Sequence, residues 1–164
     1  MKKFVLLLAL ALTGFAANAQ IKRPKLVVGI IIGFKRLINE GFSCDNNMIN
    51  YLPTVTAIGH TSTYTGATPA IHGIAGNNFQ IDGKDVYCCK DTTVESVGSK
   101  NDVGRMSPCN LLSTTIGDQI RLATDFNSKV IGVALKDRAA ILPAGRSANA
   151  AYWYDTKAGK FVTS

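Results

Sequence analysis

Lys25–Ile32 (KLVVGIII) is an almost unbroken apolar run rich in branched side chains. A half-buried strand alternates apolar and polar residues. A run without alternation is buried on both faces, as in a parallel sheet covered by helices. Lys129–Leu135 (KVIGVAL) repeats the pattern far downstream. Between the two runs, helix and turn signals alternate. Phe34–Glu40 places Phe34, Leu37 and Ile38 on one side, with Gly41 as a natural stop. Phe42–Asn50 can form a second strand, Leu52-Pro53 breaks the chain, and Thr56–Thr65 predicts a helix closed by Gly66. Together these signals predict an α/β domain with a mostly parallel sheet, helices on both faces and a small β-hairpin. No internal repeat and no linker interrupts it.

The rest of the chain fills in this frame. Gly66–Asn78 reads as loop, with Pro69, Gly73 and Gly76 as breakers. Phe79–Ile81 and Lys84–Cys88 flank Asp82-Gly83, a dipeptide suited to a type I′ hairpin turn. Lys90–Arg105 is polar and irregular. Ser107 can cap a helix with Pro108 at its first position, and Leu112, Ile116, Ile120 and Ala123 then share one apolar face. Tyr152–Tyr154 and Lys160–Thr163 flank a turn at Asp155–Gly159. Sheets of this kind take ligands beyond the carboxyl ends of their strands. That edge should gather Gly33, Pro53–Thr56 and Lys136–Arg138.

Met1–Gln20 (MKKFVLLLALALTGFAANAQ) has a positive start at Lys2 and Lys3, a short apolar core and an Ala17-Asn18-Ala19 cleavage site. These features predict a signal peptide over residues 1–19, export to a bacterial periplasm and a mature chain spanning 20–164. The apolar core is too short to span a bilayer, and no Cys follows the cleavage site, so no membrane anchor is indicated. An oxidising compartment permits disulfides among the four cysteines, Cys44, Cys88, Cys89 and Cys109. The adjacent pair would be strained as a disulfide, and Cys44–Cys88 is the favoured pairing, with four reduced thiols as the alternative.

Charge narrows the partners. Lys and Arg number 18 against 11 Asp and Glu, a net +7, yet no basic run reaches five residues. That excludes a nucleic-acid arm and suits an anionic small substrate. The two histidines, His60 and His72, build no zinc-finger spacing with the cysteines.

Three segments carry candidate chemistry. In Pro53–His60 (PTVTAIGH) a strand ends and a helix begins with Thr56 at the junction. Helix-start amides lack internal partners and carry partial positive charge, so a hydroxyl held there can attack phosphorus while the amides hold the anion. Ala57 and Gly59 are small enough for close approach. The competing role for Thr56 is a plain helix cap. In His72–Asn77 (HGIAGN) two glycines turn the chain sharply and present Asn77, whose amide can donate to an anionic oxygen. A left-handed turn position explains Asn77 equally well. His60 and His72 read as structural hydrogen-bonders. Lys136 and Arg138 follow the Lys129–Leu135 run two residues apart and can clamp one phosphate, Arg in bidentate fashion and Lys as a point charge. A solvated turn is the alternative.

The long motifs INYLPTVTAIGHTSTYTGATPAIHGIAGN, MSPCNLLSTTIGDQIRLAT and SKVIGVALKDRAAILPAG resemble bacterial periplasmic alkaline phosphatases. The resemblance is to the single-Thr-nucleophile type, akin to nucleotide pyrophosphatase/phosphodiesterases of the same superfamily. It implies hydrolysis of phosphate monoesters through a phosphothreonine intermediate, with two zinc ions. By resemblance Thr56 is the nucleophile and touches zinc, while Asn77, Lys136 and Arg138 contact the phosphoryl oxygens. Phosphate monoesters or inorganic phosphate are then the ligands. The family's Asp ligand after the first strand has no counterpart, because Ile32 runs into Gly33-Phe34-Lys35-Arg36. The remaining Asp and His ligands of the family lie beyond Ser164. The chain therefore reads as the N-terminal part of such an enzyme with a deletion after residue 32, and little activity is expected of it alone. A phosphodiesterase of the superfamily and a non-catalytic anion-binding remnant are the alternatives.

Overall fold

The computed structural model describes residues 35–164, which fall into two units, one ending at Met48 and the other spanning Ile49–Ser164. The leader and the Lys25–Ile32 run lie outside the described residues. In the first unit residues 35–40 are helical and Gly41 closes the helix by donating to the Leu37 carbonyl at 2.9 Å. Arg36 and Glu40 pair one turn apart at 2.9 Å on its exposed surface. The strand expected over Phe42–Asn50 does not form. Ser43 donates to the Asp45 carboxylate at 2.8 Å, and Asp45 and Asn46 form a turn. Short polar side chains that bond locally compete with strand pairing.

In the second unit, α1 (Thr56–Thr65) has the bounds read from sequence, and Gly66 caps it in the left-handed region with φ 66°. Its composition is poor in helix formers. Thr61, Thr63 and Thr65 turn their hydroxyls back onto carbonyls four residues earlier, each at 2.8 Å. Tertiary packing holds the helix, through buried Ala57, Ile58 and Thr61. A short helix, α2 (Pro69–His72), occupies part of the expected loop. The hairpin forms as expected: β1 (Asn78–Ile81) pairs antiparallel with β2 (Lys84–Tyr87). Asp82 (φ 50°) and Gly83 (φ 74°) both take positive φ, as a type I′ turn requires.

The helix over the third motif is shorter than expected and differently oriented. α3 (Ile116–Ala123) starts after Thr115, not after Ser107, whose hydroxyl caps only the Cys109 amide at 3.1 Å. Leu112, Ile116 and Ile120 stay exposed, and Gly117 and Asp118 are buried instead. The carboxylate of Asp118 turns that side inward. It accepts from the Thr115 amide at 2.8 Å and from the Ser147 amide and hydroxyl, each at 2.7 Å. Burial pushes the Asp118 acid up, but these donors outweigh it and hold the acid below the usual range.

A three-stranded sheet completes the unit. β3 (Ile131–Ala134) runs parallel to β4 (Ala150–Asp155), joined by α4 (Asp137–Ala144), and β5 (Lys160–Val162) pairs antiparallel with β4. This βαβ unit confirms the α/β class. Gly132 of β3 lies against the Ala140 carbonyl of α4, too close for any side chain. The alternate residues Ile131 and Val133, expected to be buried, are exposed. The core joins Ala57, Ile74, Cys88, Cys89, Leu111, Ile141, Leu142, Trp153 and Val162. All four cysteines are free thiols, the reduced alternative to the favoured Cys44–Cys88 pairing. Cys88 is committed to the core, whereas Cys44 is exposed.

Candidate active site

Two helix starts carry three of the four candidate residues, and Asn77 reaches the first of them from a loop. Thr56 is the first residue of α1 and is exposed; Val55 occupies the cap position and offers no side-chain hydrogen bond. Thr56 is therefore not the cap. Among the described residues its hydroxyl has no protein partner, and neither do the amides of Thr56 and Ile58. The remaining early amide, that of Ala57, donates to Asn77 Oδ1 at 2.9 Å. Asn77 thus caps α1 from twenty residues away in sequence. With Oδ1 bonded to the Ala57 amide, Nδ2 is the remaining donor of the Asn77 side chain. Ala57 is small because it is buried in the core, whereas Gly59 faces open space.

His72 is buried. Its Nδ1 accepts from the Ile74 amide at 3.1 Å, which leaves the proton on Nε2 to meet Ser62 Oγ at 3.0 Å. Burial pulls its pKa below the ordinary value. It is a structural residue that ties the loop carrying Asn77 to α1.

The second helix start is that of α4, where exposed Lys136 is the cap residue and Arg138 lies in the first turn. Arg138 Nη1 donates to the Tyr87 hydroxyl at 2.9 Å, and that hydroxyl donates to Asp137 Oδ1 at 2.8 Å. Arg138 Nε is buried without an acceptor. Burial pushes the Tyr87 hydroxyl far above its ordinary pKa, against the pull of Arg138, so it stays protonated. A cleft of about 220 Å³ beside Lys136, Asp137 and Arg138 is bounded by Leu135 and Trp153; neither Thr56 nor Asn77 lines it.

The structure therefore brings Thr56 to Asn77 and sets Lys136 and Arg138 on one helix start. The hairpin links the two pairs. The Cys88 amide donates to the Asn77 carbonyl at 3.0 Å, and Tyr87, its neighbour, holds Arg138. Tyr87 carries no motif, yet a signal for it exists. The two-residue Asp82-Gly83 turn fixes the register that sets Tyr87 opposite Asn78, one residue from Asn77.

The two zinc ions implied by resemblance need three or four Asp, Glu, His or Cys side chains each. No three such groups come together among the described residues, and residues 1–34 contain none of these types. This chain's residues do not fit the metal pair. The two buried acids are both spent on local networks, Asp118 at the start of α3 and Asp155 on Ser99, Asn101 and the Lys157 amide.

Known proteins match this chain over nearly its whole length. The profile of the type I phosphodiesterase / nucleotide pyrophosphatase family matches residues 7–163. A protein named calcium-transporting ATPase from Myroides odoratus is 52% identical, over 90% of this chain and 31% of its own. Alkaline phosphatase PhoV of Synechococcus elongatus is 53% identical, over 88% of this chain and 30% of its own. A crystal structure of wild-type alkaline phosphatase PafA superposes with a TM-score of 0.75 at 57% identity, covering 79% of this chain and 26% of that one. A second structure of PafA carries substitutions of one Thr, one Asn, one Lys and one Arg together. The chain spans about a third of the length of the curated relatives it matches. Its α/β fold is that of PafA over the shared region, and the chain belongs to the type I phosphodiesterase / nucleotide pyrophosphatase family.

Proposed function

We propose that this chain carries the nucleophile and phosphate-binding part of a phosphate monoester hydrolase of the alkaline phosphatase type. Thr56 supplies the attacking hydroxyl, and Asn77, Lys136 and Arg138 supply donors to the phosphoryl oxygens. One observation carries this reading: Asn77 caps α1 through Oδ1 at the residue next to Thr56, and among the described residues the Thr56 hydroxyl has no protein partner. Two unbonded amides and the positive end of the helix dipole suit the same anion. Relatives named as alkaline phosphatases support the monoester class. The variant of PafA altered at a Thr, an Asn, a Lys and an Arg supports the residue set, since the types and their order match Thr56, Asn77, Lys136 and Arg138.

Zinc dependence belongs to this proposal only for an enzyme that supplies the missing donors. A Thr hydroxyl ionises poorly near neutral pH without an activating group, and among the described residues none bonds to Thr56. The isolated chain should hydrolyse p-nitrophenyl phosphate no faster than its Thr56→Ala variant and take up no stoichiometric zinc.

A chimera tests the function itself, with residues 41–164 replacing the homologous stretch of the Elizabethkingia meningoseptica phosphatase. Monoester hydrolysis that falls at least about a thousandfold on Thr56→Ala would bear the proposal out. A folded, active chimera indifferent to Thr56→Ala would overturn it. Faster turnover of bis(p-nitrophenyl) phosphate than of the monoester would assign the chain to the diester branch.

Export to the periplasm is proposed on the leader. The exported chain should begin at Gln20 by mass spectrometry, and one beginning at Met1 would refute this.

A further inference from the structure

We propose that Tyr87 is a positioning residue of the oxyanion site, a neutral wedge that keeps Asp137 from neutralising Arg138; this rests on the phosphate-binding role of Arg138 given above. Asp137 and Arg138 are sequence neighbours in the first turn of α4 and leave the helix in different directions, yet both side chains reach the same Tyr87 hydroxyl, close enough for a bent-over carboxylate to meet the guanidinium were that hydroxyl gone. Here no ion pair joins them. The Tyr87 hydroxyl stands between. Its single proton goes to Asp137 Oδ1 at 2.8 Å, and its oxygen accepts from Arg138 Nη1 at 2.9 Å.

The chemistry of the wedge follows from its inventory. A phenol has one proton and an acceptor oxygen, so it satisfies an anion and a cation at once without changing the charge of either. It fixes the guanidinium through one nitrogen and leaves Nη2, which has no protein partner among the described residues, as a free donor. A direct Asp137 pair would occupy that donor edge and cancel the charge an incoming phosphate needs. Burial keeps the Tyr87 proton in place, so the wedge persists across the working pH range.

The placement of Tyr87 adds a mechanical link. It ends β2, and the next residue, Cys88, donates its amide to the carbonyl of Asn77 at 3.0 Å. One strand therefore locates both the Asn77 cap and the Arg138 guanidinium.

The test uses the 164-residue chain, inorganic phosphate by calorimetry, and the side-chain ¹⁵N NMR signals of Arg138. Tyr87→Phe deletes one oxygen and should weaken phosphate binding about tenfold. Adding Asp137→Asn to Tyr87→Phe should restore affinity to within about threefold, because the neutral amide cannot cancel Arg138. The Arg138 signals should shift in Tyr87→Phe and return in the double variant. A purely structural tyrosine would give no such rescue. Unchanged affinity in Tyr87→Phe, or loss without rescue, overturns the proposal. If the parent chain binds no phosphate, the oxyanion reading fails; the Arg138 signals then decide the wedge separately, supporting it if they shift and return, and overturning it otherwise. Should Tyr87→Phe fail to fold, Asp137→Asn alone decides: a change below about threefold supports the wedge, and a larger gain shows that Asp137 already neutralises Arg138.

Discussion

Helices α1 and α3 both begin at a threonine, and they use it in opposite ways. At α3, Thr115 is the cap: its hydroxyl accepts from the Asp118 amide at 3.2 Å while Asp118 returns a bond to the Thr115 amide at 2.8 Å. That capping box is buried and also takes in Ser147 and Arg146. At α1, Thr56 stands one position inside the helix, exposed and without a side-chain partner among the described residues, and the cap arrives from Asn77 in a distant loop. The same residue type is structural where its hydroxyl is consumed and available for chemistry where it is not. Local sequence treats both as helix-start signals. Only the tertiary partner, Asp118 in one case and Asn77 in the other, separates them.

Substitutions at the two starts should separate in the same way. Asp118→Ala should have the largest effect on stability, about 3 kcal/mol by urea denaturation, since it strands the buried donors of Thr115 and Ser147. A cost below about 1 kcal/mol would show that the network is not what orients α3. Thr115→Ala should cost about 1–2 kcal/mol, as a lost cap with a buried hydroxyl. Asn77→Ala should cost about 1 kcal/mol, because it removes the cap of α1, and should also remove phosphate binding; no other substitution of a helix cap should do both.

A pH titration of stability sharpens the comparison further. The His72 imidazole has a pKa lowered by burial, so the unfolded chain binds its proton more readily than the folded one. Stability from His72 is then complete above about pH 6.5 and declines as pH falls below that value. His72→Gln should flatten this limb; a limb that survives the substitution would place its cause elsewhere. Thr56→Ala should be the smallest change, within about 0.5 kcal/mol of the parent, because the residue is exposed and its hydroxyl has no partner among the described residues.

Much of the frame was legible from sequence because its signals are local. Gly66 closes α1 at the expected residue, and Asp82-Gly83 makes the expected turn, since both depend on positive φ within a single turn. The aromatic hairpin of β4 and β5 follows the same rule. The buried faces were not legible. Ile116 and Ile120 form a regular apolar stripe and so predicted burial, but a charged residue on the other side of α3 had more hydrogen bonds to gain by turning inward. Ile131 and Val133 carry the signature of a doubly covered strand and are nonetheless exposed. At the proposed site, residue types and spacing singled out Thr56, Asn77, Lys136 and Arg138 as candidates. They could not show that Asn77 caps α1. Tyr87 required the hairpin register to be followed one step further.

The central claim is that the start of α1 is capped by Asn77 so that Thr56 and its amides stay open to a phosphate. Thermal unfolding of the chain with and without inorganic phosphate tests this most directly. Phosphate should raise the melting temperature of the parent and of Thr115→Ala by similar amounts, in line with binding to the folded state alone. It should leave Asn77→Ala and Arg138→Ala unmoved. A phosphate shift that persists in Asn77→Ala, or one that is absent from the parent, would contradict the account.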